Sequence, residues 1–381
     1  MSTRHSSRAW IYGYIAVCVV MLALPLFVSD GYLLNKFARY IIFGILSLAL
    51  CLSWGYAGIL NLGQAVSFGL GSYCMAMALK LRTIPIQTGG GVPDFMSWNN
   101  VKTLPWFWEP FHSYAFAIFA GMAVPAILAF LLGWFVFRAR VTGVYVAIIT
   151  LAMLVVVNLL IIDAQSYTGG FNGITDLTTL KLFGIAFDAY SKATYYLAAF
   201  SLIAALLIGL AIIKSKTGLV MQAIRDDEMR VRYFGYDVAH YQNFAFCVSA
   251  AIAGFAGMLY TLVMEFASPT FLNVSISLSI VIWCAVGGRA SLLGAALGAI
   301  VVTGVQGSLS DSPKFLDTWM LIMGALFIAV VLFLPKGLVS LIDIFEQRFR
   351  KQAAGGGGPL TPTALPAAAP AASELRQDEV G

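Results

Sequence analysis

The side chains best suited to chemistry are few in this 381-residue chain, and their spacing does not fit catalysis. The three histidines are His5, His112 and His240, and the five cysteines are Cys18, Cys51, Cys74, Cys247 and Cys284. The cysteines all fall in apolar runs without a C-x-x-C pair, and no H-E-x-x-H is present, so neither a metal centre nor a redox couple is expected. An intramembrane serine protease would need a Ser and a His in facing spans, and the histidines lie in loops or at span ends. A proton-coupled carrier needs a carboxylate or His inside the bilayer to take up and release the coupling proton. No Asp, Glu, Lys, Arg or His sits centrally in any apolar run. The polar residues left there are Asn61, Gln64, Asn158, Gln306 and scattered Ser and Thr. Asn61, Gln64 and Asn158 are the candidates for lining a path for a small uncharged solute. No catalytic residue, metal ligand or cofactor is expected.

Charge is concentrated in one interior segment, Lys214 to His240, which reads KSKTGLVMQAIRDDEMRVRYFGYDVAH. Leu219, Val220, Ala223 and Ile224 fall on one helical face. Asp226 with Arg230 and Glu228 with Arg232 are i,i+4 pairs that predict a helix across the middle. Gly235 ends the pattern. Three readings are open: a helix docked on a partner outside the bilayer, a solvated loop, or an amphipathic helix lying on lipid.

The elements that position these residues follow from composition. The chain is 60% hydrophobic and 11% charged, against about 25% charged in soluble domains. The apolar runs predict an all-α polytopic membrane protein of about ten spans, including short or broken helices. The runs are 10–28, 37–54, 64–80, 114–137, 144–162, 194–213, 242–263, 275–287, 290–308 and 316–334. The eighth is too short to cross as a simple helix and reads as a half-span buried in protein. Run 10–28 is long for a signal peptide and lacks a following small-x-small site, so it reads as retained. Residues 1–352 form the membrane domain. The Gly-, Ala- and Pro-rich residues 353–381 read as a disordered cytoplasmic tail.

Loop charge sets the expected orientation. Fourteen Lys and Arg fall on the side that carries 214–240, and eight on the other. The first side is therefore expected in the cytoplasm, with both termini. The net charge of +5 follows from this placement and implies no nucleic acid. The loop 81–113 is then external, and its prolines and tryptophans read as a structured cap.

Four stretches remain. Gly55 to Gln64, continued by Ser67 to Tyr73, is rich in glycine, which permits close backbone approach or a helix break; ordinary packing and a pore-lining role both fit. Tyr167 to Ile174 is a glycine-rich turn that reads as a shaped contact loop. Val286 to Gly298 contains Gly294-x-x-x-Gly298, a close-packing pattern. The fourth is the charged segment. Together they resemble the membrane permeases of branched-chain amino acid type ABC importers. The early motif of that family is matched by Tyr56, Gly58, Asn61, Leu62, Gly63, Phe68, Gly69, Gly71 and Tyr73. Its T-G-G-x-x-G is matched by Thr168, Gly169, Gly170 and Gly173, and its A-I-R-D-D-E by Ala223, Ile224, Arg225, Asp226, Asp227 and Glu228, followed by Gly235. Its G-G-x-G-S-x-x-G is matched by Gly287, Gly288, Ser291 and Gly294, with Arg289-Ala290 replacing the usual x-Gly.

The resemblance covers about residues 35–345. It implies that 214–240 is a cytoplasmic coupling helix seated on an ATPase subunit, although Met229-Arg230 stand where the family often has alanines. It also implies a homologous second permease subunit, two ATPase subunits and an extracytoplasmic solute-binding protein. Within the family, Pro93-Asp94-Phe95-Met96 and Leu104-Pro105-Trp106-Phe107-Trp108 look most like the second permease subunit of the urea importer. Urea or short amides are the expected cargo, with branched-chain amino acids, or a passive channel for a neutral solute, as alternatives.

Overall fold

The computed structural model describes residues 8–87, 91–182 and 184–311, with Leu321, Gly324, Ala325, Ile328 and Gly337 beyond. It is helical almost throughout. In chain order the helices are α1 (Arg8–Phe27), α2 (Gly31–Cys51), α3 (Gln64–Gln87), α4 (Asp94–Trp98), α5 (Tyr114–Arg138), α6 (Val144–Asp163), α7 (Gln165–Thr168), α8 (Lys192–Lys214), α9 (Lys216–Asp226), α10 (Glu228–Tyr233), α11 (Val238–Met264), α12 (Val274–Gly287) and α13 (Leu292–Ser310). Each of the first nine apolar runs is therefore helical. The tenth run and the tail lie almost wholly outside the described residues.

Among the described residues, six helices are long and apolar enough to cross a membrane: α2 with its extension to Tyr56, α5, α6, α8, α11 and α13. A polytopic α-helical membrane protein is the result. Burial separates them into layers. The α2 and α11 spans are 72% and 67% buried, whereas α5 and α6 are 28% buried. The central helices carry Ile42, Ile45, Leu46, Leu48, Ala49 and Leu50 from α2 against Ala253 and Ala256 of α11 and Leu292, Ala295 and Ala299 of α13. The outer helices turn Phe119, Ile127, Phe135, Val156 and Leu160 outward, as lipid-facing surfaces do.

Helices run past the apolar runs that announced them. Lys36 lies inside α2 and Lys80 and Arg82 inside α3, not in connections. Lys80 is buried, and its ammonium is held by the Asp94 carboxylate at 3.0 Å and the Thr175 carbonyl at 2.9 Å. That pairing neutralises a charge that burial alone would exclude. It also ties α4 and the irregular segment 175–178 onto α3. The cap over this end is ordered, as the aromatics of 81–113 suggest: Trp108 packs on Phe111 with centroids 4.9 Å apart and donates from Nε1 to the Tyr167 carbonyl. One element has no helical signal at all. Leu180–Leu182 (β1) and Ile185–Phe187 (β2) form a two-stranded antiparallel hairpin, with Leu180 opposite Phe187.

α12 has 14 residues, too few to cross a bilayer. It lies against α13 where Gly287 and Gly298 abut, with no room for a Cβ on either. The G-x-x-x-G pattern thus lets two backbones approach closely.

Candidate functional site

Two helix interruptions meet inside the bundle. The first follows α2. Its last turn widens into a π-helix, Leu52–Tyr56, and the chain then runs without helix from Gly58 to Gly63 before α3 begins. Such widened turns recur at functional sites. Gly58 has φ +76°, the left-handed region that lets the chain leave the helix.

An interrupted helix in a buried position must find other partners for its freed backbone groups. Here side chains supply them. The Leu62 N–H donates to Thr150 Oγ1 of α6 at 3.1 Å, and Leu62 O accepts from Ser277 Oγ of α12. The Gly63 N–H donates to Asn61 Oδ1 at 2.8 Å. Asn61 Nδ2 donates to Gln64 Oε1 at 2.7 Å, and Gln64 Nε2 donates to Ser249 Oγ of α11 at 3.1 Å. Ser249 Oγ in turn donates to the Ala49 carbonyl at 2.6 Å. Asn61 and Gln64 are both fully buried. Their side chains are engaged within the chain and clasp the interruption to α11, while the Leu62 backbone ties it to α6 and α12.

The second interruption, Glu265 to Asn273, enters from the opposite end. It is pinned by paired backbone bonds between Ile174 and Ala267, at 2.8 and 3.0 Å. The glycine-rich turn 167–174 is thus a contact loop for this segment. A short 3-10 turn, Pro269–Leu272, follows, and Asn158 of α6 holds it by donating from Nδ2 to the Pro269 and Leu272 carbonyls at 2.8 and 3.1 Å. Asn273 then caps α12, accepting from the Ser275 N–H at 3.1 Å. Glu265 lies at the mouth of this segment. Partial burial, reinforced by Asp188, raises its carboxyl above the ordinary range.

The interruptions touch. Gly69 lies against the Leu272 side chain, Phe68 faces Phe271 with centroids 6.1 Å apart, and Ser277 bonds Leu62. α3 starts at a buried residue, Gln64, whereas α12 starts between exposed Asn273 and Ser275. Gly63 lies against the Thr150 carbonyl and Gly71 against Gly254, so small residues set the closeness of this junction.

The charged segment folds as two helices, not one. Asp227 adopts an extended backbone, φ −157° and ψ 100°, and caps α10 by accepting from the Arg230 N–H at 3.1 Å. The expected Asp226–Arg230 pair is replaced by Arg225–Asp226 at 2.8 Å and Arg230–Asp227 at 2.7 Å, while Glu228–Arg232 forms as its spacing requires. The capping preference of Asp wins over helix continuation. The inward face also differs from the sequence reading. Gly218, Met221 and Ile224 are buried, whereas Leu219 and Ala223 point outward. Met229, Tyr233 and Phe234 add exposed apolar surface, at 59%, 85% and 81% exposure. Gly235, at φ +85°, turns the chain away.

Arg225 joins this segment to the first interruption. Its Nη1 donates to the Gly55 carbonyl at 2.7 Å, inside the π-helical turn, and its aliphatic stem covers Gly58. A cavity of about 190 Å³ beside this contact is lined by Gly58, Val146 and the stretch Arg225–Glu228. The turn after α12 grips the same element from another side. Cys51 Sγ donates to the Arg289 carbonyl at 3.3 Å, Tyr56 Oη donates to the Ala290 carbonyl at 3.1 Å, and the Arg289 guanidinium lies 5.6 Å from the Trp54 ring centroid. Gly288, at φ +110°, makes that turn. No group of three or more His, Cys, Asp and Glu suited to a metal occurs among the described residues.

Residues 32–331 match the model of the family described as "Branched-chain amino acid transport system / permease component". The chain belongs to that family. Three relatives are named as branched-chain amino acid transport permease proteins LivM. The Salmonella typhimurium protein is 28% identical over 351 residues, covering 86% of this chain and 74% of its own length. The Escherichia coli protein is 26% identical over 356 residues, with the same coverage. The Methanocaldococcus jannaschii protein, a probable permease by its name, is 26% identical over 331 residues, covering 81% of this chain and 93% of its own. No solved structure matches the chain.

In this permease, sequence reasoning located Asn61, Gln64 and Asn158 but not their partners. Thr150 stands among apolar residues, but Ser249 shares its run with Thr261 and Ser277 stands between Ser275 and Ser279, so spacing alone does not single them out. The contact between Arg225 and Gly55 had no signal, because 170 residues separate the two.

Proposed function

We propose that this chain is a transmembrane permease subunit of an ATP-binding cassette importer, forming part of the translocation path for urea or short amides. The observation that carries the transport reading is the bond from Arg225 of the charged connection to Gly55 of the interrupted helix. The spans hold no central carboxylate or His to relay a proton, and the buried Lys80 is neutralised by Asp94, so work must enter from outside the bilayer. The exposed face of α9 and α10, with Leu219, Met229, Tyr233 and Phe234, is the surface for an ATPase subunit. Ala223 to Glu228 and Gly235 form that coupling element. ATP hydrolysis then resides on two separate ATPase subunits. The path runs between this chain and a homologous second permease subunit, with Asn61, Gln64 and Asn158 shaping it through the segments they hold. An extracytoplasmic solute-binding protein delivers cargo to the end that carries Trp98 and Trp106. The chain sits in the inner (plasma) membrane with both termini cytoplasmic, and it needs no cofactor and no nucleic acid.

Urea is favoured by the outer loop, where Pro93 to Met96 and Leu104 to Trp108 resemble the urea importer's second permease subunit, and by the neutrality of the path. Branched-chain amino acids are the second reading, favoured by the names of the three relatives. Uptake of labelled urea against labelled leucine, in cells lacking and then regaining this chain, decides between them. Uptake that persists after ATP depletion would sink the importer reading and leave a passive channel.

A further inference from the structure

The α5–α6 turn and the start of α11 enclose a second cavity, of about 810 Å³, which the transport reading does not use. Its apolar lining is supplied by Phe130 and Trp134 of α5 and Phe244 of α11, all exposed at the helix surface. Its rim is basic. Arg138 ends α5, Arg140 follows it, and Arg232 reaches in from α10. The Arg138 guanidinium lies 4.7 Å from the Trp134 ring centroid, and neither Arg138 nor Arg140 joins an ion pair among the described residues. Arg232 pairs with Glu228, yet its Nε is buried without a hydrogen-bond partner among the described residues. Asp237 is the acid in the lining, so the rim carries an excess of positive charge.

We propose that this cavity binds an anionic phospholipid, with its phosphate at the arginine rim and its upper acyl chain against Phe130, Trp134 and Phe244. Guanidinium groups match phosphate oxygens in pairs. A basic pocket between helices at a membrane end, with an apolar lining, is the arrangement that suits a lipid headgroup. A free anion would leave the aromatic wall in water. A zwitterionic lipid brings its own cation to a site already rich in them.

The test uses the purified full-length chain, with phosphatidylglycerol, phosphatidylcholine or inorganic phosphate added, and native mass spectrometry as the readout. Phosphatidylglycerol should be retained about tenfold or more over phosphatidylcholine, as two rim arginines imply. Arg138→Gln with Arg140→Asn should abolish that preference; Asn is chosen because Arg140 has φ +59°. Lys214→Gln with Lys216→Gln, which removes equal charge at the same end outside the cavity, should leave it intact. Equal retention of both lipids, unchanged retention by the arginine variant, or displacement by millimolar phosphate would overturn the proposal. So would loss of the lipid on adding the ATPase subunits, which would assign the surface to them.

Discussion

Arg225 and Gly55 are 170 residues apart, and the guanidinium of one donates to the carbonyl of the other across 2.7 Å. The acceptor belongs to a π-helical turn, so the bond satisfies a carbonyl at the point where α2 stops being a regular helix. The stem of Arg225 also lies on Gly58, which makes the turn into the interruption. A displacement of α9 is therefore delivered to residues 55–58 before it reaches any other part of the span.

Arg225→Ala should separate assembly from transport. The exposed apolar residues Leu219, Met229, Tyr233 and Phe234 are untouched and only the exposed Asp226 pair is lost, so ATPase subunits should still co-purify, while uptake falls about tenfold or more with loss of a charge-assisted bond worth roughly 1.5–3 kcal/mol. Arg225→Lys, which keeps the charge but not the planar geometry, should recover only part. Normal uptake by the alanine variant would remove Arg225 from the coupling route.

Tyr233→Ser with Phe234→Ser should do the reverse. Both rings are exposed and contribute little to the fold. Thermal unfolding should be unchanged within about 0.5 kcal/mol, and co-purification with the ATPase subunits should be lost. Retained co-purification would move the docking face elsewhere.

Gln64→Leu tests the clasp. Asn61 Nδ2 loses its acceptor in a fully buried place, at a cost of about 1–3 kcal/mol for the stranded amide, whereas Ser249 Oγ keeps the Ala49 carbonyl. A lowered midpoint of thermal unfolding in detergent is expected. An unchanged midpoint would show that neither bond matters to stability.

Gly58→Ala and Gly235→Ala form a matched pair. Both glycines have positive φ, and only Gly58 contacts Arg225. Each substitution should cost about 1–2 kcal/mol of backbone strain. Only Gly58→Ala should also lower uptake in proportion to protein present. Equal effects on uptake would reduce the role of Gly58 to conformation alone.

Glu265 gives a pH dependence with a defined sign. Its folded-state pKa is raised, so the folded chain binds the proton more tightly than the unfolded one. The native state is therefore destabilised as pH rises from the unfolded pKa through the folded one, and the destabilisation is absent at lower pH. Glu265→Gln should flatten stability over that acidic window, read as unfolding midpoints from about pH 4 to 7. An unchanged slope would place the titrating group elsewhere.

Much of this architecture was legible from apolar runs, because bilayer thickness fixes the length of a crossing helix. The shortness of α12 was visible for the same reason. The cap and the glycine contacts were visible as residue types without their partners. The split at Asp227 was misread, since i,i+4 charge spacing and N-capping by Asp compete at the same position and only the folded chain shows which prevails. The hairpin at 180–187 was missed because two three-residue strands hold too little alternation to register. The clasp was half legible: burial of Asn61 and Gln64 announces a need for partners, but Ser249, which meets it, and Thr150 and Ser277, which bond Leu62, come from three distant helices.

That distance has a consequence for how the chain is made. The backbone between Ala57 and Gly63 leaves the ribosome long before its partners: Thr150 follows Leu62 by 88 residues, Ser249 follows Gln64 by 185, and Ser277 follows Leu62 by 215. Until α6, α11 and α12 have been synthesised and inserted, those amides and carbonyls can be satisfied only by water or by the insertion machinery. The first helical hairpin must therefore wait, unfinished, for the last third of the polypeptide to arrive and lock it.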